Sequence, residues 1–306
     1  MKASKYIWKN GEYIPWESAT THVLTHALHY GTAYFEGVRA YETDKGPAIF
    51  KHKEHTDRLI SSAKMHHMEI PYPVDEIMEA TRTLIAKNEL PSCYIRPIAY
   101  AGYGKMGISP QGNPIDMVIA AWEWGSYLGD DGIKNGIRCN ISSWARNSIR
   151  SLPTLSKCAA NYANSILAKQ ESIRLGFDEA ILLNEHGFVA EGPGENLFVV
   201  KDGVVYTPPI SDSVLRGITA QTVIEILHDM GVTVHQNQSL TRDQLYTADE
   251  LFFTGTAAEV TPIVQVDSLT IADGKVGTRT KAVQDKYFDI VQGRSAEHLS
   301  SLDFCS

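Results

Sequence analysis

Between Glu179 and Pro209 the chain reads EAILLNEHGFVAEGPGENLFVVKDGVVYTPP, four short apolar runs punctuated by turns. Runs of this length bounded by Gly, Pro, Asn and Asp are strands. YIWKNGEYI near the N-terminus repeats the pattern, with Asn10-Gly11 between β-formers as a two-residue hairpin signal. FEGVRAYETDKGPAIF reads as a second hairpin around Asp44-Lys45-Gly46. CYIRPIAYAGY, DMVIAAWEW and IRCNISSW read as further strands, and ELFFTGTAAEVTPIVQV as a strand, a Thr-Gly-Thr turn and a strand. Helices are predicted from about His52 to His66 and from Val74 to Lys87. Another follows Lys157, on apolar positions 159, 162, 163, 166 and 167, and closes at Gly176; a last one follows Gly217, on 223, 226, 227 and 230, up to Gly231. The order is mixed, without regular βαβ alternation, so the expected class is α+β with largely antiparallel sheets.

A length of 306 residues suggests two domains. GSYLGDDGIKNG, rich in Gly, Asp and Asn, is the linker candidate. It divides the chain into a small N-terminal αβ domain (1–124), a linker (125–135) and a larger C-terminal αβ domain (136–306) that carries Lys157. With 28 basic and 36 acidic residues the formal net charge is −8, which argues against nucleic acid or an anionic membrane as the main partner. MKASKYIWKNGEYIPW lacks the apolar core of a signal peptide, and no apolar run approaches the ~20 residues of a membrane span. Cys93, Cys139, Cys158 and Cys305 are scattered, with no Cys-x-x-Cys. A soluble, reduced, cytoplasmic protein is expected.

TLSKCAANYANS holds Lys157 among Ser156, Cys158, Ala159 and Ala160, with no acid nearby. Placed before a predicted helix, its amine meets the positive end of the helix dipole, which favours the neutral, nucleophilic form. Small neighbours admit a flat ring. These features suit a Schiff-base lysine; the alternative is a surface lysine near a helix start. GFVAEGPGENLFVV puts Glu191 at the end of an apolar strand, where a carboxylate needs a partner. A protonated ring nitrogen would serve. A turn cap or a nearby arginine is the alternative, and Glu195 is a rival for either role. LRGITAQ sets Gly217, Ile218 and Thr219 at a helix N-terminus, the place for a phosphate or for an ordinary Thr N-cap. TGTAAEV supplies Thr256 and backbone amides on a tight turn, a second anion site.

Within strands, positions 94 and 96 share a face, as do 35, 37 and 39. A phenol and a guanidinium therefore project together from YIRP, and Arg39 stands beside Phe35 and Gly37. Arginine suits bidentate carboxylate recognition. Aromatics with two arginines describe a pocket for an apolar side chain that must sometimes accept a carboxylate; interstrand salt bridges are the alternative. His26 with His29, and His52 with His55, have spacings that can hold a metal, but no HExxH or comparable set completes a site.

Taken in order, the lysine, Glu-Gly-x-Gly-Glu-Asn-Leu-Phe, Leu-x-Gly-Ile-Thr and Gly-Thr-Ala-Ala-Glu-Val-Thr-Pro resemble the class IV (fold type IV) pyridoxal-phosphate aminotransferases. HALHYGTAYFEGVRAY and YIRP resemble the branched-chain amino-acid aminotransferases of bacteria, and the likeness runs from about residue 5 to about 290. The resemblance implies two αβ domains with the site between them. It makes Lys157 the Schiff-base lysine, Glu191 the acid on the pyridine nitrogen, Tyr162 the tyrosine near the phenolic oxygen and Leu215 the residue on the ring face. Arg58 becomes the phosphate-binding arginine, joined by Gly217, Ile218, Thr219 and Thr256. Tyr30, Phe35, Gly37, Arg39, Tyr94, Arg96, Trp124 and Tyr127 fall where the family lines its substrate pocket. The backbone of Thr256 and Ala257 falls where it holds the α-carboxylate, and Met106 to Ile108 match a loop that closes the neighbouring subunit's site.

The implied reaction is transamination of Leu, Ile and Val with 2-oxoglutarate, using pyridoxal 5'-phosphate, in at least a homodimer, with a hexamer as the larger alternative. Rivals within the fold are a D-amino-acid aminotransferase, an R-selective amine transaminase and aminodeoxychorismate lyase; Arg39 and Arg96 with YFEGVR weigh against them. Outside it stand a metal-dependent hydrolase and a non-catalytic binding protein. Pro193 stands where the family commonly has Ser or Ala, and VGTRTKAV lacks the Gly-Pro often seen there.

Overall fold

The computed structural model describes residues 2–125 and 128–305. They divide into two compact units, Met1–Trp124 with Ser156–Ala160 and Asp289–Ser306, and Gly125–Leu155 with Asn161–Phe288. In the first, β1 (Tyr6–Lys9) and β2 (Glu12–Pro15) close on Asn10 and Gly11, both at positive φ, the geometry of a two-residue turn that matches strand twist. Then come α1 (His26–Tyr30), β3 (Ala33–Phe35), β4 (Val38–Thr43), β5 (Gly46–Phe50), α2 (His52–Lys64), α3 (Val74–Asn88), β6 (Cys93–Ala101) and β7 (Ile115–Trp122). The sheet runs from the C-terminal strand Leu302–Phe304 through β5, β4, β6, β7 and β1 to β2, with β3 also on β6, and every pairing is antiparallel. Helices α2 and α3 contribute Leu59, Ala63, Ile77, Leu84 and Ile85 to a core shared with Val38, Ala40, Ile95, Ala99, Met117 and Ile119. Strand residues alternate between faces, so the other face carries Arg39, Tyr94 and Arg96.

The second unit contains α4 (Gly129–Asn135), β8 (Ile137–Ile141), α5 (Tyr162–Leu175), β9 (Glu179–Ile181), β10 (Asn196–Lys201), β11 (Val204–Tyr206), α6 (Ile218–Asp229), β12 (Val234–His235) and α7 (Arg242–Tyr246). β13 (Glu250–Gly255), β14 (Glu259–Val266), β15 (Leu269–Thr270) and α8 (Thr278–Val291, within the unit as far as Phe288) complete it. The sheet order is β12-β11-β10-β13-β14-β8-β9, with β15 on β14. β11–β12, β14–β8 and β8–β9 are parallel and the other pairs antiparallel, so this sheet is mixed. The fold is α+β.

Several elements depart from the sequence expectation. The linker 125–135 is largely helix: α4 occupies Gly129–Asn135, and Gln284 Nε2 donates to Ile133 O at 2.9 Å, a tertiary tie that outweighs the breaker-rich composition. The 179–209 segment holds three strands, and Leu183 meets Val189 only as an isolated bridge. Lys157 packs with the first unit rather than with a C-terminal domain. Phe35 N donates to Lys157 O at 3.2 Å and Tyr34 bridges Cys158, so the segment is drawn onto β3. The helix expected directly after Lys157 begins at Tyr162, beyond a 3-10 turn at Ala159–Asn161. Its buried residues are Ser165, Ala168 and Ser172, while Ile166 and Leu167 are exposed. Small side chains let the helix approach β9 closely, and Ser172 Oγ donates to Asn140 Oδ1.

Candidate active site

In the first unit, backbone register gathers the pocket residues. Arg39 lies directly opposite Tyr94, and Tyr94 opposite Trp122. The Tyr94 ring meets Trp124 edge-on with centroids 4.4 Å apart, and its hydroxyl accepts from Arg96 Nη2 at 3.2 Å. The Arg96 guanidinium lies 4.6 Å from the Phe35 ring centroid, and Arg39 Nη2 donates to Trp124 O at 3.3 Å. A Cβ on Gly37 would stand 2.0 Å from the Tyr94 hydroxyl, so only glycine leaves room for the phenol. Interstrand salt bridges do not account for Arg96. Among the described residues it has no acidic partner, and its Nε is buried without a hydrogen bond. Lys157 Nζ lies over the same Phe35 ring, 5.3 Å from the centroid. The lysine's backbone is stitched to α2: Lys157 N donates to Ser62 Oγ at 2.9 Å and Ser156 Oγ to Ser62 O at 3.0 Å. Arg58, one turn earlier on the same helix, belongs to this unit too.

Tyr30 and Met106 stay outside this cluster. Tyr30 ends α1, meets the His26 ring at a tilt with centroids 4.5 Å apart and is exposed, as are Met106 and Ile108. Tyr127 lies outside the described residues.

In the second unit Glu191 is buried and its carboxylate is held on both oxygens. Oε1 accepts from Arg146 Nε at 2.8 Å, and Oε2 from Leu215 N at 3.0 Å and Asn196 Nδ2 at 3.2 Å. The arginine partner, one of the alternatives open for this residue, is Arg146. Glu195 differs. It is fully buried, accepts from Gly194 N at 3.0 Å, and burial followed by the Glu179 carboxylate pushes it up to about 8. At neutral pH it holds a proton and cannot balance a ring cation, which favours Glu191. The sign of the linkage is testable. The folded chain binds this proton more tightly than the unfolded one, whose value is about 4.3, so stability falls as pH rises from about 4.3 to about 8. Glu195→Gln should melt with the parent at roughly pH 4 and above it at roughly pH 9. A melting difference that ignores pH would overturn this assignment.

Helix α6 starts with Gly217 as N-cap and no side-chain cap, so the Thr N-cap alternative is not what forms; Thr219 sits inside the first turn. Asn196 Nδ2 also donates to Leu215 O at 2.9 Å, which ties the turn before α6 to the Glu191 carboxylate. Thr256 and Ala257 form the turn between β13 and β14, half-buried. Tyr162, half-buried, opens α5. Arg146, Asn196 and Ser62 hold candidate site residues, and the sequence reading gave none of them that part. Arg146 lies in a string without a chemical motif, Asn196 sits inside Glu-Gly-x-Gly-Glu-Asn-Leu-Phe but shows its partner only in the fold, and Ser62 is a helix serine whose part exists only through its contact with Lys157.

The "Amino-transferase class IV" family model matches residues 33–266. The chain belongs to the class IV aminotransferases. It is 48% identical over 292 residues to a branched-chain-amino-acid aminotransferase of Pseudomonas aeruginosa, covering 95% of this chain and 94% of the relative. The crystal structure of the Escherichia coli branched-chain amino acid aminotransferase superposes with a TM-score of 0.97 at 44% identity, over 99% of this chain and 100% of that one. The T.th. branched-chain amino acid aminotransferase complexed with N-(5'-phosphopyridoxyl)-L-glutamate matches with a TM-score of 0.94 at 47% identity, over 99% of both chains.

Members of this family are pyridoxal-phosphate enzymes, and the residues here fit that cofactor. The first unit offers a primary amine at Lys157, and the second offers a buried carboxylate at Glu191 oriented by Arg146 and uncapped helix amides at Gly217–Thr219, the kinds of group the cofactor needs. Among the described residues no helix is long and apolar enough to cross a membrane. His52 Nδ1 pairs with Asp303 at 2.6 Å and His55 Nδ1 with Glu36 at 2.8 Å, and no cluster of metal-ligating side chains occurs among the described residues.

Proposed function

We propose that the chain transfers the amino group of branched-chain L-amino acids to 2-oxoglutarate, with the following division of labour. Lys157 would hold pyridoxal phosphate through its primary amine, and the cofactor would supply the electron sink. The Lys157 amine would be both proton acceptor and donor at the substrate α-carbon. Glu191, oriented by Arg146 and Asn196, balances the charge on the ring nitrogen, and Leu215, fixed by its N–H to the same carboxylate, packs on the ring. Arg58 and the amides of Ile218 and Thr219, with Thr256, hold the phosphate. Tyr162 serves the phenolic oxygen. The turn at Thr256 and Ala257 takes the α-carboxylate. The related enzymes named for branched-chain substrates, and the glutamate adduct held by one of them, support both halves of the reaction.

The observation that carries the dual specificity is Arg96. Its buried Nε has no hydrogen-bond partner, and its guanidinium lies 4.6 Å from the Phe35 ring centroid and 5.3 Å from that of Tyr94. Aromatic walls receive a leucine side chain, while the guanidinium meets the distal carboxylate of glutamate. Arg96→Met removes a charge-assisted hydrogen bond of ~1.5–3 kcal/mol, roughly 10- to 150-fold in rate. Single-turnover rates should fall by about that factor with glutamate and much less with leucine. Equal losses with both would make Arg96 structural and pass the distal carboxylate to Arg39.

The enzyme works in the cytoplasm as at least a homodimer. Ile166, Ile173 and Leu175 on α5, and Val23, Leu28 and Ile108 in the first unit, are exposed apolar residues suited to contact with a second copy; a hexamer is the larger alternative.

A further inference from the structure

Glu36, in YFEGVR, is a carboxylate with no solvent exposure. A charge there persists only if cations and donors surround it. Two do. Arg58 grips it as a fork, Nε to Oε1 at 2.6 Å and Nη2 to Oε2 at 2.9 Å. His55, one turn before Arg58 on α2 and equally buried, contributes Nδ1 at 2.8 Å from Oε2. Burial alone would raise Glu36, but Arg58 and then His55 outweigh it and hold the acid below the usual carboxylate range. The ionised carboxylate only accepts, so the His55 Nδ1 carries the hydrogen. Burial, the largest cause, keeps His55 below its usual value, and the charges of Arg58 and Lys157 act the same way.

We propose that Glu36 is the positioning residue that aims Arg58 at the cofactor phosphate. The inference rests on Arg58 being the phosphate arginine. A carboxylate this close to the guanidinium weakens its pull on an anion, so net charge cannot be what Glu36 supplies; it supplies direction. Arginine has rotamer entropy to lose on being held, and the bidentate grip removes that freedom before the phosphate arrives. Glu36 is itself fixed: its N–H donates to Pro97 O at 2.9 Å on β6, and it sits between Phe35, which lies under Lys157, and Gly37, which lies under Tyr94. Ser62, four residues after Arg58 on α2, holds the Lys157 backbone. One helix thus sets the arginine and the lysine, and Glu36 sets the arginine on the helix.

The test compares binding of pyridoxal 5'-phosphate and of pyridoxal, which lacks the phosphate, to apoprotein of the full chain by absorbance titration. The ratio of the two dissociation constants isolates phosphate recognition. Glu36→Gln should reduce the preference for the phosphorylated form by roughly 10-fold or more, the scale of one charge-assisted hydrogen bond, while pyridoxal binding stays within about 3-fold. Arg58→Met should erase the preference. If Arg58→Met erases it and Glu36→Gln leaves it intact, or weakens both ligands equally, Glu36 is merely structural and the proposal fails. If Arg58→Met leaves the preference intact, the assignment of Arg58 falls first and the Glu36 role with it. Should Glu36→Gln not fold, Glu36→Asp keeps the charge but shortens the reach, so the fork cannot close on both oxygens. It should lower the preference in the same direction, and an unchanged preference there overturns the proposal.

Discussion

Lys157→Ala should abolish useful turnover with leucine, a fall of about 10^4-fold or more. Lost proton transfer alone accounts for roughly 10^2- to 10^4-fold, and loss of covalent attachment adds to it. The purified parent should be yellow and lose its visible band when L-leucine is added. The variant should still bind pyridoxal phosphate but without that band. Folding should survive, because the segment is held through backbone atoms, Lys157 N to Ser62 Oγ and Lys157 O to Phe35 N, which alanine retains. Steady-state kinetics and one visible spectrum decide the matter. Turnover within about 10-fold of the parent would mean that another amine carries the reaction.

Glu191→Gln should have two effects of different origin. An amide cannot balance a ring cation, so turnover should drop by at least the ~10- to 150-fold of one charge-assisted hydrogen bond. The same change leaves the Arg146 guanidinium buried without its acid, and breaking a buried pair costs about 3–5 kcal/mol. Removing both charges, in Arg146→Met with Glu191→Gln, should recover much of the stability and none of the activity. Denaturant titration reads the first and single-turnover kinetics the second. A double variant no more stable than Glu191→Gln alone would show that the ion pair does not set the cost. Glu195→Gln is the control. Its proton-bearing acid is replaced by a neutral group of the same shape, so activity at neutral pH should change far less.

Local chemistry that is contiguous in the chain was legible. Asn10-Gly11 specifies its hairpin because both residues tolerate positive φ. The apolar period after Gly217 locates α6, and a glycine at its cap leaves first-turn amides for an anion. The alternation in CYIRPIAYA puts Tyr94 and Arg96 on one face by strand geometry alone, and their side chains meet there. Family motifs added roles that periodicity cannot supply, among them Lys157 and Glu191.

Contacts made across long sequence separation were not legible, since nothing in a string of residues encodes which distant group will satisfy a buried charge. Arg146 is 45 residues from Glu191, and Glu36 is 22 from Arg58; each pair exists because desolvating one charge demands the other. Lys157 was assigned by sequence to a C-terminal domain, yet Ser62, 95 residues away, draws its backbone onto α2. The apolar period after Lys157 marks a helix, but which face α5 buries is decided by packing: the small face with Ser165, Ala168 and Ser172, where Ser172 meets Asn140. The sequence by itself therefore determined the class of fold, the family and the faces of the strands that carry the candidate residues. The tertiary structure decided which partner holds each of those residues. Strand and helix periods are local properties of the chain, whereas satisfying a buried charge or backbone donor is a property of the packed whole.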